Sequence, residues 1–484
     1  MLFNSIPYLL FLSIIFIFYW SIFAKRLSIQ NLFLLFASYF FYGLWDYRFL
    51  SLIFLSSVVD YIVGINIHKN ECNPKKRKLW LWASIIFNLS LLAFFKYCNF
   101  FIQSWIDLFT IFGYSHQESW TLNIILPVGI SFYTFQTMSY SLDVYYKRIV
   151  PTKNFLAFAT FVAFFPQLVA GPIERASNLL GQISKKRVFS YQAGASGIKL
   201  ILYGLFKKVV IADTIAPLVD DIFSNYHDYS SPILILGIIL FSFQVYTDFS
   251  GYSDIAIGTA QLLGIELMSN FKFPNFSRNV AEYWQRWHIS LSTWFRHYLY
   301  IPLGGSKVSK IKSVRNICII FLVSGFWHGA NWTFIFWGGF HALAYIPVFL
   351  TGRNTIYKNS VVAEKSCVPS VKEIFQICLT FTIVSFSRIF FRSSTLDQSF
   401  GYIKRIFSNF EYTEYTHPQN KNLTPILILL ICFNVYEFLI RKNERSPFNF
   451  ESKHLRFFIY CLVIFCFFYF YDDDVPNSFI YFQF

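Results

Sequence analysis

Long apolar segments alternate with short polar ones along almost the whole chain. A membrane-crossing helix needs about 20 apolar residues, because each residue adds about 1.5 Å towards a hydrocarbon core about 30 Å thick. The segments that approach this length are residues 6–23, 31–45, 48–67, 79–100, 122–142, 194–214, 232–248, 316–330, 332–350, 373–392, 424–440 and 456–471. The pattern predicts an all-α, polytopic membrane protein with about twelve transmembrane or re-entrant helices.

Two regions depart from this simple pattern. Residues 155–183 are apolar but contain Pro166 and Pro172, which predicts a broken or re-entrant segment buried within protein. Residues 249–306 are too polar to face lipid and too aromatic for a solvated loop, so we expect interfacial helices that line a polar interior. Because the chain shows no internal repeat and no low-complexity linker, we expect one membrane domain over residues 1–484.

The composition supports a lipid environment. Hydrophobic residues make up 55% of the chain and charged residues only 14%, whereas an ordinary soluble domain is about 25% charged. The net charge of +15 is concentrated in short runs between apolar segments, such as 75–78 and 185–187. We interpret these runs as positive-inside orientation signals, with the N-terminus outside, and expect no nucleic-acid partner.

Several chemistries are excluded by missing motifs. The eight Cys residues are scattered, without a C-x-x-C pair or a Cys/His cluster at zinc spacing, so no metal site is expected. The chain also lacks the G-x-S-x-G, H-E-x-x-H and G-x-x-x-x-G-K-[ST] motifs. The candidate chemistry therefore rests on polar residues at membrane depth, which are costly to bury and mark candidate sites.

His328 is the first candidate catalytic residue. It lies between two long apolar runs, and its neighbours Gly325 and Gly329 allow a close approach of backbone or substrate. A neutral imidazole can take a proton from a hydroxyl and return it, as acyl transfer to an alcohol requires. The alternative is a core histidine that hydrogen-bonds a neighbouring helix.

His288 is the second candidate, 40 residues earlier in the chain (328 − 288) and next to Trp284, Arg286 and Trp287. It could orient His328, bind a thioester carbonyl or act as a second acid/base. The alternative is an interfacial helix with an aromatic belt and a charged edge.

Two carboxylates, Asp248 and Asp254, flank a Ser-Gly pair that we interpret as a turn. They could polarise a histidine or bind a cation. We favour a third interpretation, in which they pair with basic residues and hold the polar core together. The candidate partners are Arg278, Arg286 and Arg296.

Other polar residues have ordinary structural explanations. Lys207 and Lys208 interrupt an apolar run, and we expect their ammonium groups to reach the membrane interface. His297 and His341 are expected to be structural. Asn331 either orients a substrate or satisfies backbone groups at a helix break.

Taken together, the motifs resemble those of bacterial membrane-bound O-acyltransferases, most closely the alginate O-acetyltransferase branch. The stretches that carry this resemblance are 126–132, 165–174, 248–258, 284–291, 327–332 and 478–484. They occur in order over nearly the full chain, and the ordered set is far more specific than any one stretch.

The resemblance implies a ring of transmembrane helices around a central tunnel, with His288 and His328 as the reactive histidines. Such a protein has no bound cofactor and uses acetyl-CoA or another acyl-CoA as donor substrate. It transfers the acyl group to hydroxyls of an extracytoplasmic polysaccharide, often with a periplasmic acetyltransferase partner. The residues expected to line the substrate path are Trp284, Arg286, Trp287, Asp248, Asp254, Trp327 and Asn331.

Three functions remain open at this point. The first is an O-acetyltransferase that acts on a cell-envelope or exported polysaccharide. The second is a transmembrane acyl conduit that passes the group to a separate periplasmic transferase. The third is a transporter whose histidines relay protons, although transporters often show repeats. For the first two we expect His328 to lie within the bilayer, in a polar cavity.

Overall fold

The structure of the protein is a computed structural model. It describes residues 1–113, 121–169, 171–411, 413–418, 422–470 and 479–480. All regular secondary structure within these residues is helical, which confirms the predicted all-α class. The α-helices are α1 (Ile6–Ser21), α2 (Leu27–Asp46), α3 (Leu50–Lys69), α4 (Pro74–Leu92), α5 (Cys98–Ile111), α6 (Ile130–Tyr145), α7 (Phe155–Ala163), α8 (Phe165–Leu168), α9 (Ala176–Ile183), α10 (Tyr191–Leu205), α11 (Asp213–Ser224), α12 (Ser231–Leu262), α13 (Val280–Arg286), α14 (Ile289–Phe295), α15 (Lys310–His328), α16 (Trp332–Leu350), α17 (Val371–Arg392), α18 (Leu396–Ile406), α19 (Leu423–Ile440) and α20 (Lys453–Phe470). Most of the C-terminal stretch 478–484 that contributes to the resemblance lies outside the described residues.

Seven helical runs among the described residues are long and apolar enough to cross a membrane. They are Leu27–Lys69, Pro74–Ile111, Ser231–Leu262, Trp332–Leu350, Val371–Arg392, Leu423–Ile440 and Lys453–Phe470. Eight of the twelve predicted segments overlap these runs. The other four segments overlap α1, α6, α10 and α15, which are shorter or more polar than these runs. The protein is a multi-pass membrane protein, while the number twelve and the ring around a tunnel stay predictions.

The described residues form two compact units. The first contains Ser5–Tyr191 and Ala260–Leu267, and the second contains Gln192–Thr259 and Met268–Phe484. The expectation of one membrane domain over the whole chain stays a prediction. Both candidate histidines and all of the residues expected to line the substrate path belong to the second unit.

Polar contacts between helices hold the first unit together. The buried carboxylate of Asp60 on α3 accepts hydrogen bonds from the Ser141 hydroxyl on α6 at 2.7 Å and the Asn88 amide on α4 at 2.8 Å, and from the hydroxyl of Ser84. Three helices therefore share one buried polar centre, and each donor offsets part of the cost of burying a carboxyl group.

The predicted break in the first unit is present. Helix α7 ends at Ala163, and the four-residue helix α8 carries Pro166 in its first turn, where a missing N–H costs no hydrogen bond. Residues 157–168 are buried, as irregular backbone within a membrane protein must be.

The predicted turn at Ser250-Gly251 was wrong. Helix α12 continues without interruption to Leu262, so Asp248 and Asp254 lie within one helix. The separate short helices expected over residues 249–306 begin only with α13, and their interfacial position stays a prediction. A helix continues through Ser and Gly in an apolar environment because its backbone groups have no water to bond instead.

Two pairs of glycines bring α10 and α12 into backbone contact. A Cβ atom at Gly251 would lie 2.7 Å from the carbonyl oxygen of Gly204, and one at Gly258 would lie 2.5 Å from that of Gly197. Small residues at these positions therefore permit a close helix crossing. The crossing brings the lysines that follow α10 against the carboxylates of α12.

Candidate active site

His328 is the last residue of α15, and a three-residue link leads from it to α16. The two helices pack closely because Gly325 and Gly338 face each other. A Cβ atom on either glycine would collide with a backbone carbonyl oxygen of the other helix. Asn331 begins α16 by accepting a hydrogen bond from the Thr333 N–H at 3.0 Å. The hairpin therefore fixes the position of the His328 side chain.

Aromatic rings surround the imidazole of His328, which is 3% exposed. Its ring centre lies 5.0 Å from that of Trp327, 5.1 Å from that of Trp337 and 5.5 Å from that of Phe391. All three contacts are edge-to-face, the arrangement that aromatic pairs prefer. These rings limit the orientations that the imidazole can adopt.

His288 is fully buried and has a left-handed backbone conformation, with φ of 42°, where α14 begins. A non-glycine residue in this region carries about 1–3 kcal/mol of strain, which the surrounding structure must offset. Such strain occurs most often at functional sites. The ring of Phe249 packs edge-on against His288 with centres 4.7 Å apart.

Asn270 fixes the tautomer of His288. Its Oδ1 lies 3.2 Å from His288 Nδ1 and also accepts from the Ser290 hydroxyl at 2.9 Å, while its Nδ2 donates to the Ser253 hydroxyl. Nδ1 therefore carries the proton, and Nε2 has the basic lone pair. His288 lies outside the seven candidate spans, and burial lowers its pKa to about 3, so the ring is neutral near pH 7.

The structure brings His288 and His328 together, with ring centres 6.3 Å apart. Trp327 completes the group, since its ring centre lies 6.0 Å from that of His288. A residue at the end of α15 and one at the start of α14 thus meet in a single buried aromatic cluster. Whether this cluster lies at mid-depth in the bilayer stays a prediction.

A small cavity, with room for about one water molecule, lies next to His328. Its walls are mostly aromatic, with a few convergent polar groups, as is common for small-molecule sites. The lining residues are Val245, Tyr283, Trp287, His328, Trp337, His341, Val384, Arg388 and Phe391. They come from α12, the α13 region, α15, α16 and α17.

Arg388 is a site residue that the sequence interpretation missed. It is 4% exposed, its guanidinium donates to the Ser242 carbonyl at 2.9 Å and to the Tyr283 hydroxyl at 3.0 Å, and it lies over the Trp287 ring at 5.1 Å. An arginine inside an apolar helix is a signal of function. Its position only four residues before Arg392, near the end of the predicted span 373–392, conceals that signal.

His341 also lines the cavity. Its Nε2 lies 2.9 Å from the Ser387 hydroxyl, which donates its proton to the Val384 carbonyl at 2.6 Å. Nε2 must then carry the ring proton, and Nδ1 is left as an acceptor. We expected His341 to be structural, and that expectation stays a prediction because the ring both holds a neighbour and faces the cavity.

The predicted path residues separate into two groups. Trp287 lines the cavity directly, and Trp284 packs on His341 with ring centres 5.0 Å apart. Arg286 is directed elsewhere, since it pairs with Glu282 at 2.8 Å and donates to the Ser360 carbonyl at the same distance. Asn331 is used as a helix cap, and its amide donates to the Ser394 carbonyl at 2.8 Å.

Asp248 and Asp254 pair with lysines and not with the expected arginines. Lys208 Nζ lies 2.9 Å from Asp248 and 2.7 Å from Asp213, and Lys207 pairs with Asp254. The expectation that the lysines reach the interface was therefore wrong. The side chain of Lys208 is only 1% exposed and that of Lys207 only 4%. They are buried because α10 and α12 cross closely at their glycines, which brings the lysines into contact with the carboxylates. A buried pair of this kind avoids the larger cost of an isolated charge.

Within the described part of the chain, no group of three or more His, Cys, Asp or Glu side chains is arranged to hold a metal ion.

Comparison with known proteins gives the class of this fold and site. The model of the MBOAT, membrane-bound O-acyltransferase, family matches residues 79–386, which is well over half of the chain. A multi-pass helical protein with a buried histidine pair beside a cavity agrees with that match. The chain belongs to the membrane-bound O-acyltransferase family, and it is an acyltransferase.

Individual relatives have related activities. A probable alginate O-acetylase of Pseudomonas aeruginosa is 36% identical over 86% of this chain and 78% of its own length. A peptidoglycan O-acetyltransferase of Helicobacter pylori is 32% identical over 96% of this chain and 93% of its own length. A teichoic acid D-alanyltransferase of Streptococcus thermophilus is 30% identical over 56% of this chain and 69% of its own length.

Proposed function

We propose that this protein is an O-acetyltransferase of the bacterial inner membrane. It moves an acetyl group from cytoplasmic acetyl-CoA across the membrane to hydroxyl groups of a cell-envelope or exported polysaccharide. The observation that carries the proposal is the pair of buried imidazoles, 6.3 Å apart, beside a cavity with aromatic walls. Such a pair provides two acid/base groups in one buried cluster.

The proposed reaction starts with deprotonation of the acceptor. His328 takes the proton of the hydroxyl as its oxygen bonds to the thioester carbonyl carbon, and the carbonyl electron pair moves to oxygen. Collapse of this intermediate reforms the carbonyl and breaks the carbon–sulfur bond. The sulfur leaves as the thiol of CoA, with the proton that the histidine held. The products are the acetyl ester and free CoA, and the histidine returns to its neutral form.

His288 assists from a fixed orientation. Its Nδ1 proton is held by Asn270, so Nε2 carries the basic lone pair, which can orient a hydroxyl or accept its proton. Its neutral form suits this role, because a permanently protonated ring could not accept a proton.

The donor side is proposed to be cytoplasmic because the basic loops favour that face. Phosphates of a CoA thioester would be attracted to the same loops. On the opposite side we propose a polysaccharide acceptor, since the three relatives are named for alginate, peptidoglycan and teichoic acid. Peptidoglycan is the first acceptor to test, because the Helicobacter pylori relative shares nearly its whole length with this chain.

The test is the acetyl ester content of isolated peptidoglycan and of exported polysaccharides. Cells with the wild-type chain are compared with cells carrying His328→Ala at equal membrane levels, and His454→Ala, an exposed histidine, is the control. We expect esters on one polymer to disappear only with His328→Ala. Unchanged esters on every polymer would contradict the proposal and favour a transporter.

The acyl-conduit alternative predicts a different result in purified membranes. A conduit would consume acetyl-CoA yet leave the polymer unmodified until an extracytoplasmic transferase is added. We expect the wild-type membranes to form polymer esters without such an addition.

A further inference from the structure

Within the part of the chain that the structure describes, Arg388 is the one charged residue that lines the cavity beside His328. Its helix, α17, presents Val384, Arg388 and Phe391 to that cavity, at the i, i+4, i+7 spacing of one helix face. The ring of Phe391 in turn contacts His328, with centres 5.5 Å apart. One helix face therefore carries a fixed positive charge and a wall of the His328 site.

The guanidinium is held rigidly by neutral groups. It donates to the Ser242 carbonyl and the Tyr283 hydroxyl and stacks on Trp287, and within the described residues no carboxylate forms an ion pair with it. This differs from Lys207 and Lys208, whose buried charges are matched by carboxylates. A buried arginine that bonds only neutral groups keeps its charge available to a ligand.

The geometry points to Arg388 as a further catalytic residue, which donates to the acyl carbonyl oxygen and stabilises the negative charge that develops on it. This inference rests on the proposed acyl transfer. A guanidinium has five N–H groups, and the two hydrogen bonds described leave three for a substrate. A preorganised donor that is itself buried, as Arg388 is, stabilises such an oxyanion strongly.

The same charge selects the acyl group. An acyl chain with an ammonium group, such as an aminoacyl chain, would bring a second positive charge into a cavity whose lining, among the described residues, contains no carboxylate. Like charges at contact distance in such a site repel strongly. Arg388 therefore favours neutral acyl groups over aminoacyl groups.

The first test measures acetyl transfer from acetyl-CoA to polymer in membranes with the full chain. For Arg388→Gln we expect kcat to fall about 100-fold, with KM for acetyl-CoA changed less than about threefold, because the contact strengthens only as charge develops. Arg388→Lys keeps the charge but loses the planar fork, and its kcat should lie between those of Arg388→Gln and wild type.

Arg392→Gln is the matched control. Arg392 lies one turn further along the same helix and pairs with Asp220 at 2.6 Å, where both side chains are partly exposed. This variant should keep kcat within about twofold of wild type, as expected for a surface ion pair. Protein level and melting temperature in detergent identify any variant that has lost its fold.

The second test uses the wild-type chain and does not depend on the stability of a variant. Propionyl-CoA and glycyl-CoA differ by a methyl group in place of an ammonium group, so they compare charge at nearly equal size. We expect the wild-type kcat/KM for propionyl-CoA to exceed that for glycyl-CoA by about 100-fold. In Arg388→Gln this ratio should fall by about tenfold or more.

The outcomes separate this inference from the function it rests on. Absence of acetyl transfer in the wild type would overturn the proposed function. Transfer by the wild type together with an unchanged kcat in Arg388→Gln, or equal use of glycyl-CoA and propionyl-CoA by the wild type, would overturn the inference about Arg388 alone.

Discussion

The imidazole rings of His288 and His328 lie 6.3 Å apart and are inclined to each other by 58°. They reach this position from different supports, a left-handed residue before α14 and the last residue of α15. His328 lines the cavity and His288 packs behind it, so two acid/base groups lie close together in one buried cluster. The first predictions concern the residues that hold this arrangement.

Asn270→Ala should lower kcat about tenfold, because His288 loses the acceptor that fixes its tautomer and orientation. The measurement is the pH profile of kcat for acetyl transfer. Asn270→Asp keeps an acceptor at this position and should retain more activity than Asn270→Ala. In Asn270→Asp the acidic limb of the kcat pH profile should move to higher pH, since a nearby carboxylate favours the protonated imidazole of His288. Equal kcat for Asn270→Ala and wild type would contradict this role.

Ser387→Ala should lower kcat about fivefold, the equivalent of about 1 kcal/mol for one buried hydrogen bond. The Ser387 hydroxyl holds Nε2 of His341 at 2.9 Å, so its loss frees the ring to rotate and change tautomer. Ser385→Ala is the control on the same helix, because it also removes a buried hydroxyl, one that accepts from Ser242 at 2.9 Å. We expect similar melting temperatures and a lower kcat only for Ser387→Ala. A matching loss in both variants would show that His341 is structural.

Gly338→Ala should strongly reduce both folded protein and activity. The added methyl group would collide with the Phe321 carbonyl oxygen and force α15 and α16 apart, which displaces His328. Gly339→Ala is the adjacent control, since its nearest contact would be 3.8 Å from a Leu322 methyl group. The measurement is melting temperature in detergent together with polymer ester content. Equal tolerance of both substitutions would contradict the close packing of this hairpin.

Lys208→Met should destabilise the second unit by about 3 kcal/mol or more, because it leaves Asp213 and Asp248 buried without their cation. The measurement is the unfolding free energy in detergent. Replacement of the carboxylates as well, in Lys208→Met/Asp213→Asn/Asp248→Asn, removes the uncompensated charge and should recover part of the loss. If the triple variant is less stable than Lys208→Met, the lysine does not serve mainly to neutralise these groups.

Much of the architecture follows from the pattern of apolar residues. Every predicted apolar segment overlaps a helix. The helix break near Pro166 could also be predicted, because a proline interrupts helical hydrogen bonding at its own position whatever the rest of the fold. The pairing of His288 with His328 was implied by the resemblance to a known family. Apolar periodicity alone could not predict contact between two residues 40 positions apart in the chain.

The remaining wrong predictions concern the contacts of buried charged side chains, which depend on how distant helices pack together. Lys207 and Lys208 look like interfacial residues because their sequence neighbours are apolar, and the glycine contacts that bury them involve a helix some 40 residues further on. Arg388 likewise resembles Arg392 in its sequence context. The two lie one turn apart on nearly the same helix face and differ in their neighbours, the cavity for Arg388 and Asp220 for Arg392.

The contacts between the lysines that follow α10 and the carboxylates of α12 also affect how the chain inserts into the membrane. A lysine near the centre of an inserting helix costs about 2.5–3.5 kcal/mol, so a segment with two adjacent lysines is a poor substrate for the insertion machinery by itself. Asp213 lies in the same segment and neutralises only one of the two lysines, whereas Asp248 is synthesised 40 residues after Lys208 (248 − 208) and Asp254 is synthesised 47 residues after Lys207 (254 − 207). We expect the segment 194–214 to wait at the membrane surface or within the translocation channel until α12 has emerged, so that the two enter the lipid as a pair.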